Sequence, residues 1–183
     1  MSFARPTLVA ACLLALGAGP TACGEEELGV DEPAREGLAI ELGHVDYNVF
    51  ITRQLNPDVP PDEAYYKGAP VGRDQALFGV FIQVCNNSSS GPPRQTAEHF
   101  EVVDNQGNTF EPTELPEEND FAYRPTQLSP KECIPRAGSV AQLGPSGGSM
   151  LLFQLPLAVT ENRPLELEVE GPDAEKRTFE LDI

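Results

Sequence analysis

An apolar stretch at residues 77–86 constrains the fold of this chain more than any other feature. Apolar residues alternate onto both faces of a strand here, with Phe78, Val80, Ile82 and Val84 on one face and Leu77, Phe81 and Cys85 on the other. No charge occurs between Asp74 and the polar turn at residues 86–91, whereas an edge strand usually carries charge or polarity. The stretch therefore predicts a strand in the middle of a sheet, covered on both sides.

Several further segments show β-type alternation or turn signals. They are residues 38–42 and 45–51, which read as one bent strand or two short ones, the hairpin 99–103 and 109–110, the doubly apolar strand 150–155, and the terminal hairpin 165–170 and 178–183. No segment reads as a long helix. About seven short strands separated by turns predict an all-β fold, an antiparallel β-sandwich.

Two long irregular connections, residues 57–75 and 112–137, interrupt this pattern. Loops of this length are uncommon in compact domains and are either functional or mobile. Both contain aromatic residues: Tyr65, Tyr66, Phe121 and Tyr123. Such side chains either bind a ligand or partner or pack down to cover a sheet edge, and we take these four as the candidate ligand-binding residues.

The first 22 residues have the pattern of a signal peptide, with one cation, Arg5, and an apolar run over residues 8–19. That run is shorter than the roughly 20 residues of a membrane-spanning helix. Residues 20–24 resemble the lipobox of bacterial lipoproteins, with Pro20 where that motif usually has leucine. The resemblance implies acylation of Cys23, a lipid-anchored protein of the cell membrane or envelope, and a domain facing the extracytoplasmic side. Ordinary cleavage nearby, giving a soluble secreted protein, is the alternative.

Acidic residues dominate the rest of the chain. The formal charge is −17, and removing residues 1–22 takes away one arginine and no acid, which makes it −18. Such a surface repels nucleic acid, so we expect no nucleic-acid partner. Residues 23–37 are acidic and poor in apolar side chains, which predicts a flexible tether after the lipidated Cys23. The folded domain is then expected to span residues 38–183.

The chain has four cysteines, and each has an expected fate. Cys12 leaves with the signal peptide and Cys23 is the anchor, which leaves Cys85 and Cys133. In an oxidising compartment, two remaining cysteines are more simply explained by one disulfide than by free thiols or metal ligands. With two histidines in the whole chain, we expect no metal site and no cofactor.

Two motifs formally match catalytic or ion-binding patterns. Residues 144–148 have the spacing of a nucleophile elbow around Ser146, but that elbow needs a following helix, and here a glycine-rich turn leads into a strand. We therefore expect no catalytic residues. The terminal hairpin carries a row of acids that is read either as a solvated face or as a calcium site: Glu166, Glu168, Glu170, Glu180 and Asp182.

The order of these features resembles a known group. The lipobox and acidic segment, the strand ending at Cys85, the hairpin from 100 to 110 and the strands at 150–156 and 165–171 are similar to the immunoglobulin-like family of bacterial lipoproteins and secreted antigens, catalogued as a domain of unknown function. The resemblance implies an immunoglobulin-like sandwich and carries no catalytic residues. The expected function is a cell-envelope lipoprotein with a non-enzymatic binding domain and another envelope protein as partner. The alternative is a lipoprotein that binds calcium or another cation on its acidic face.

Overall fold

Strands make up nearly all of the regular structure in residues 27–183, the part of the chain that the computed structural model describes. The strands are β1 (Ala34–Arg35), β2 (Ala39–Leu42), β3 (Val45–Leu55), β4 (Gln75–Cys85), β5 (Arg94–Gln95), β6 (His99–Val103), β7 (Thr109–Phe110), β8 (Gln127–Leu128), β9 (Cys133–Ile134), β10 (Ser149–Pro156), β11 (Leu165–Glu170) and β12 (Lys176–Leu181). Seven of them have four or more residues. Helical structure in these residues comprises α1 (Val140–Leu143) and 3₁₀ turns at Asp62–Ala64 and Leu157–Glu161. The predicted all-β fold is confirmed.

The strands form two main sheets that enclose the core. Sheet I has the order β1-β12-β11-β6-β7, and sheet II has the order β10-β4-β3-β2, with β9 also paired to β4. β5 and β8 form a separate small pair. Neighbouring strands are antiparallel, except that β1 runs parallel to β12. Apolar side chains from both sheets share one cluster, including Val80 and Ile82 of sheet II and Leu167 and Phe179 of sheet I. The chain is therefore a β-sandwich.

Strand β4 occupies the central position predicted for it. It pairs with β3 on one side and with β10 and β9 on the other. Phe78, Val80, Ile82 and Val84 face the core between the sheets, whereas Leu77 and Phe81 belong to a second cluster on the outer face of sheet II. Both faces of β4 are thus covered, as its doubly apolar sequence requires.

The predicted hairpins are also present. β6 and β7 pair through Val102 with Phe110, and β11 pairs with β12 along its whole length. Residues 38–51 form two strands and not one bent strand, because Gly43 and His44 make a tight turn with positive φ angles of 61° and 63°. Two consecutive positive φ angles are what a two-residue hairpin turn of type I′ demands.

Cys85 and Cys133 form the predicted disulfide. They are directly opposite each other where β9 pairs with the end of β4. The bond joins positions 48 residues apart in the sequence, and so it attaches the irregular segment before α1 to the central strand.

The structure corrects the predicted flexible tether over residues 27–37. Ala34 is fully buried, and β1 extends sheet I by pairing with Phe179 and Glu180 of β12. Backbone hydrogen bonds and an ion pair with the buried Arg177 hold this segment in place. Such interactions do not require the segment to be rich in apolar side chains. The folded domain therefore includes residues 27–37 and does not begin at residue 38. The predicted signal peptide and Cys23 lie outside the described residues.

Candidate functional site

The outer face of sheet II carries the candidate site. Apolar side chains that point away from the sandwich core are covered there by the two long connections, and the resulting outer cluster contains Leu55, Tyr65, Leu77, Phe81, Leu115, Met150 and Leu152. The Tyr65 ring makes edge-to-face contacts with Phe81 and Phe121, with centroids 5.0 and 4.7 Å apart. The long connections therefore act first as a lid over an apolar sheet face.

Tyr65 is part of that lid and not a ligand anchor. Its side chain is 1% exposed, and its hydroxyl lies 3.3 Å from Ser146 Oγ. Its carbonyl oxygen accepts a hydrogen bond of 2.8 Å from Asn119 Nδ2, which joins the two long connections. The guanidinium of Arg53, which is paired with Asp62, lies 5.8 Å from the ring centroid. The structure thus corrects the hypothesis that Tyr65 binds a ligand.

Tyr123 lies in the other cluster, between the two sheets. Its hydroxyl donates a 2.8 Å hydrogen bond to the Ala97 carbonyl, and the Ala97 N–H donates to the Tyr47 hydroxyl at 2.7 Å. Burial raises the pKa of Tyr47 to about 12 and raises that of Tyr123 as well. The two hydroxyls satisfy the backbone N–H and C=O of Ala97 inside the core, so the ligand-binding hypothesis is also corrected for Tyr123.

Tyr66 and Phe121 remain accessible. Both are half-buried at the edge of the outer cluster, and Tyr66 donates a 3.2 Å hydrogen bond to the Ala69 carbonyl. The Tyr66 ring folds directly over Gly68, where a Cβ would overlap the ring. Gly68 thereby sets the position of Tyr66, a role that the glycine- and proline-rich sequence of this connection signals only as a turn.

A cleft of about 650 Å³ opens beside Tyr66, and we call it the outer cleft. It lies between the connection 57–75 and the adjoining ends of β3 and β4. Its wall combines aromatic, aliphatic, amide and charged groups and includes Gln54, Asp58, Glu63, Tyr66, Lys67, Val71 and Gln75. Volumes of 300–1,000 Å³ are usual for small-molecule sites. Of the four candidate residues, Tyr66 alone lines this cleft, and Lys67 and the two glutamines were not predicted.

The acidic row on the terminal hairpin is present, but basic side chains of the protein already contact part of it. Glu166 is opposite Glu180 across the hairpin. Burial raises the pKa of Glu166, and the neighbouring Glu180 and Glu168 raise it further. Lys176 Nζ lies 2.9 Å from Glu168, and Arg35 lies 3.3 Å from Glu180. Among residues 27–183, no group of three acidic, cysteine or histidine side chains is arranged to hold a metal ion.

Ser146 shows no catalytic arrangement in the described part of the chain. Its Oγ contacts the Tyr65 hydroxyl, whereas His44 pairs with Glu41 and His99 begins β6 opposite Glu170. A nucleophilic serine needs a general base within hydrogen-bond reach. The turn interpretation of residues 144–148 therefore accounts for Ser146.

No helix within residues 27–183 is long and apolar enough to cross a membrane. The described regular structure consists of strands and a few single helical turns, with α1 only four residues long.

No protein-family model matches the chain, and no curated protein matches its sequence. Among solved structures, the chain is similar to the yjhA protein from Bacillus subtilis, with a TM-score of 0.54 and 12% identity over 81% of this chain and 99% of that one. It is also similar to an uncharacterised β-sandwich protein from Clostridium difficile 630, with a TM-score of 0.48 and 13% identity over 82% and 95% of the two chains. At 12% identity, the likeness to the Bacillus subtilis protein concerns the fold alone.

Proposed function

We propose that this chain is a lipid-anchored protein of the cell envelope whose β-sandwich is a non-enzymatic, extracytoplasmic binding module. In this proposal Cys23 carries the lipid, and the sandwich belongs to the immunoglobulin-like group of lipoproteins that its sequence resembles. The partner is another envelope component that binds at the outer cleft.

The sequence supports the anchoring part, and one bond in the structure agrees with it. Residues 1–22 have the apolar run and the small residues of a signal peptide, and Cys23 follows directly. The Cys85–Cys133 disulfide is of the kind that persists in oxidising compartments outside the cytoplasm. Export and a structural disulfide are therefore mutually consistent.

The outer cleft carries the binding part of the proposal. It is open to solvent, has the volume of a ligand site, and combines an accessible tyrosine with charged and amide groups. Tyrosine supplies a large contact area with few rotatable bonds, and so it is frequent in recognition surfaces. The cation-binding alternative lacks comparable support, since Lys176 and Arg35 already pair with Glu168 and Glu180 of the acidic row.

Replacing Tyr66 by alanine is expected to weaken partner binding. Loss of an anchoring tyrosine costs about 2 kcal/mol in many interfaces, roughly a thirtyfold loss of affinity. The measurement is quantitative cross-linking and pull-down from intact cells that express the protein, with recovered partners compared between the wild type and Tyr66→Ala.

Phe110→Ala is the matched control, because it removes another half-buried aromatic ring from sheet I, away from the cleft. Gly68→Ala tests the same site differently: it should displace the Tyr66 ring and reduce recovery while leaving the melting temperature nearly unchanged. Equal recovery for the wild type, Tyr66→Ala and Gly68→Ala would remove the outer cleft from the proposal.

A further inference from the structure

The segment at the start of the described chain is bound tightly to sheet I. Residues 27–32 form a compact turn, in which the Val30 N–H donates to the Glu27 carbonyl at 2.9 Å. The Thr178 N–H donates to the Gly29 carbonyl at 2.9 Å, and β1 continues the pairing along β12. The domain is therefore attached to its N-terminal segment through backbone pairing that begins beside the start of β12.

The Arg177 side chain also stabilises this attachment. This side chain is 9% exposed, and its guanidinium lies 2.8 Å from Glu27 and 2.7 Å from Glu175. Gly29 has a φ angle of +85°, and a Cβ there would lie 2.9 Å from Ile40 Cδ1. Only a glycine fits this turn against the sheet without displacement. The Arg177 side chain is buried whereas that of Glu27 is 64% exposed, so this ion pair joins the start of the segment to the sheet at the protein surface.

The attachment leaves little free chain between the sandwich and the predicted anchor. Glu27 is four residues after Cys23, and four residues extend to about 14 Å at most. We propose that this short reach orients the sandwich on the bilayer, with the end that carries residues 27–32 against the lipid surface and the outer cleft pointing away. This inference rests on the proposed lipid anchor at Cys23.

The topology places the outer cleft at the opposite end of the sandwich. The near end comprises residues 27–32, the β2–β3 turn and the β11–β12 turn, since Glu27, His44 and Asp173 line one groove. β3 leaves this end at Val45 and reaches the cleft at Leu55. Ten residue steps along a strand span roughly 33 Å, which is more than twice the reach of the anchor. The cleft is then presented to partners beyond the membrane surface.

The near end has a composition that suits a zwitterionic lipid surface. Leu28 and Val30 are 40% and 53% exposed in the turn of residues 27–32, and so the part closest to the lipid presents aliphatic side chains. Acidic groups surround them, including Glu41 and Asp173 of the same groove. Anionic headgroups would repel this end, whereas phosphatidylcholine would not.

The orientation is tested with fluorophores on the full-length protein. The protein is expressed with its signal peptide, shown by intact mass to carry acyl chains, and reconstituted in phosphatidylcholine vesicles that contain a headgroup quencher. Asp173→Cys labels the near end and Lys67→Cys labels the cleft end. Both positions are exposed, and each new thiol is unique because Cys85 and Cys133 are bonded to each other and Cys23 is acylated.

We expect strong quenching of the label at position 173 and little quenching at position 67. Equal quenching at both positions in acylated protein would overturn the orientation while leaving the anchor intact. Absence of the acyl mass would overturn the anchor and the orientation together.

A variant with a longer linker tests whether the short reach of the anchor causes the orientation. Ten glycine and serine residues inserted between Glu26 and Glu27 raise the maximum reach to about 50 Å, which exceeds the length of β3. The quenching difference should then disappear, while the melting temperature stays that of the parent protein. A difference that persists with this linker would overturn the short reach as the cause of the orientation.

Discussion

Replacing both Cys85 and Cys133 by serine is expected to lower the free energy of unfolding by about 4 kcal/mol. The disulfide closes a loop of 48 residues, and such a loop restricts the unfolded chain strongly in the chain-entropy model. β9, of only two residues, keeps few other interactions with β4 once the bond is removed. Chemical denaturation of wild type and double variant measures the difference.

Reduction of the wild-type protein is the matched control. A reductant should lower the stability of the wild type to that of Cys85→Ser/Cys133→Ser and should leave the double variant unchanged. Hydrogen exchange in residues 127–137 should rise in both cases, since this segment is attached to the central strand by the bond. A wild type whose stability is insensitive to full reduction would contradict this account of the disulfide.

Asp104→Asn is expected to cause the second large loss of stability, measured as a lower melting temperature. Asp104 is 3% exposed, and its two carboxylate oxygens accept four hydrogen bonds, from the N–H groups of Gln106 and Asn108 and from the side-chain amides of Asn108 and Asn162. This network joins the β6–β7 hairpin to the connection before β11. An asparagine at this position would turn an NH₂ donor toward other donors, so unpaired polar groups would remain.

The loss should depend on pH. The hydrogen bonds lower the pKa of Asp104 from 3.8 to about 2, and the one from the Asn108 side chain contributes most. Because the charged form is favoured in the folded state, its contribution to stability is complete above about pH 4 and disappears as the pH falls to about 2. The melting temperatures of wild type and Asp104→Asn should therefore differ at pH 7 and converge near pH 2.

Asp173→Asn is the control for this comparison, because Asp173 is an exposed aspartate in the β11–β12 turn. It should melt close to the wild type at every pH. A gap between wild type and Asp104→Asn that stays constant from pH 7 to pH 2 would show that the carboxylate charge does not stabilise the network.

The central strand and the hairpins were predictable because their signals are local. The alternation of Phe78, Val80 and Ile82 with Leu77 and Phe81 states directly that both faces of β4 are covered. Leu165, Leu167 and Val169 likewise face the core, while the glutamates that alternate with them lie on the solvent-facing side of the strand. A period of two needs no knowledge of the partner sheet, only that each face has one.

Residues 27–37 were mispredicted because their stability comes from distant partners. Their acidic composition is typical of a flexible segment, yet Glu27 pairs with Arg177, which is 150 positions away. Arg177 shares the buried face of Phe179 and so lies on the opposite face from the acidic row of the terminal hairpin. Composition cannot indicate which acid meets a buried guanidinium.

The sequence indicated only some of the residues that line the outer cleft, again because burial depends on distant parts of the chain. The long connections do carry the outer cleft, and Tyr66 lines it. Tyr65 and Tyr123 have the same aromatic character, but one covers Phe81 and the other satisfies the Ala97 backbone. Whether a loop aromatic is buried depends on what the sheet face beneath it leaves uncovered, and that is a property of the assembled sandwich.

The intact mass of the protein expressed from its full sequence in a bacterial host tests the central claim most directly. A lipid-anchored envelope protein should lack residues 1–22 and should begin at Cys23 with the added mass of its acyl chains, and Cys23→Ala should abolish that addition. A mature protein with an unmodified Cys23, or one that retains residues 1–22, would contradict the account.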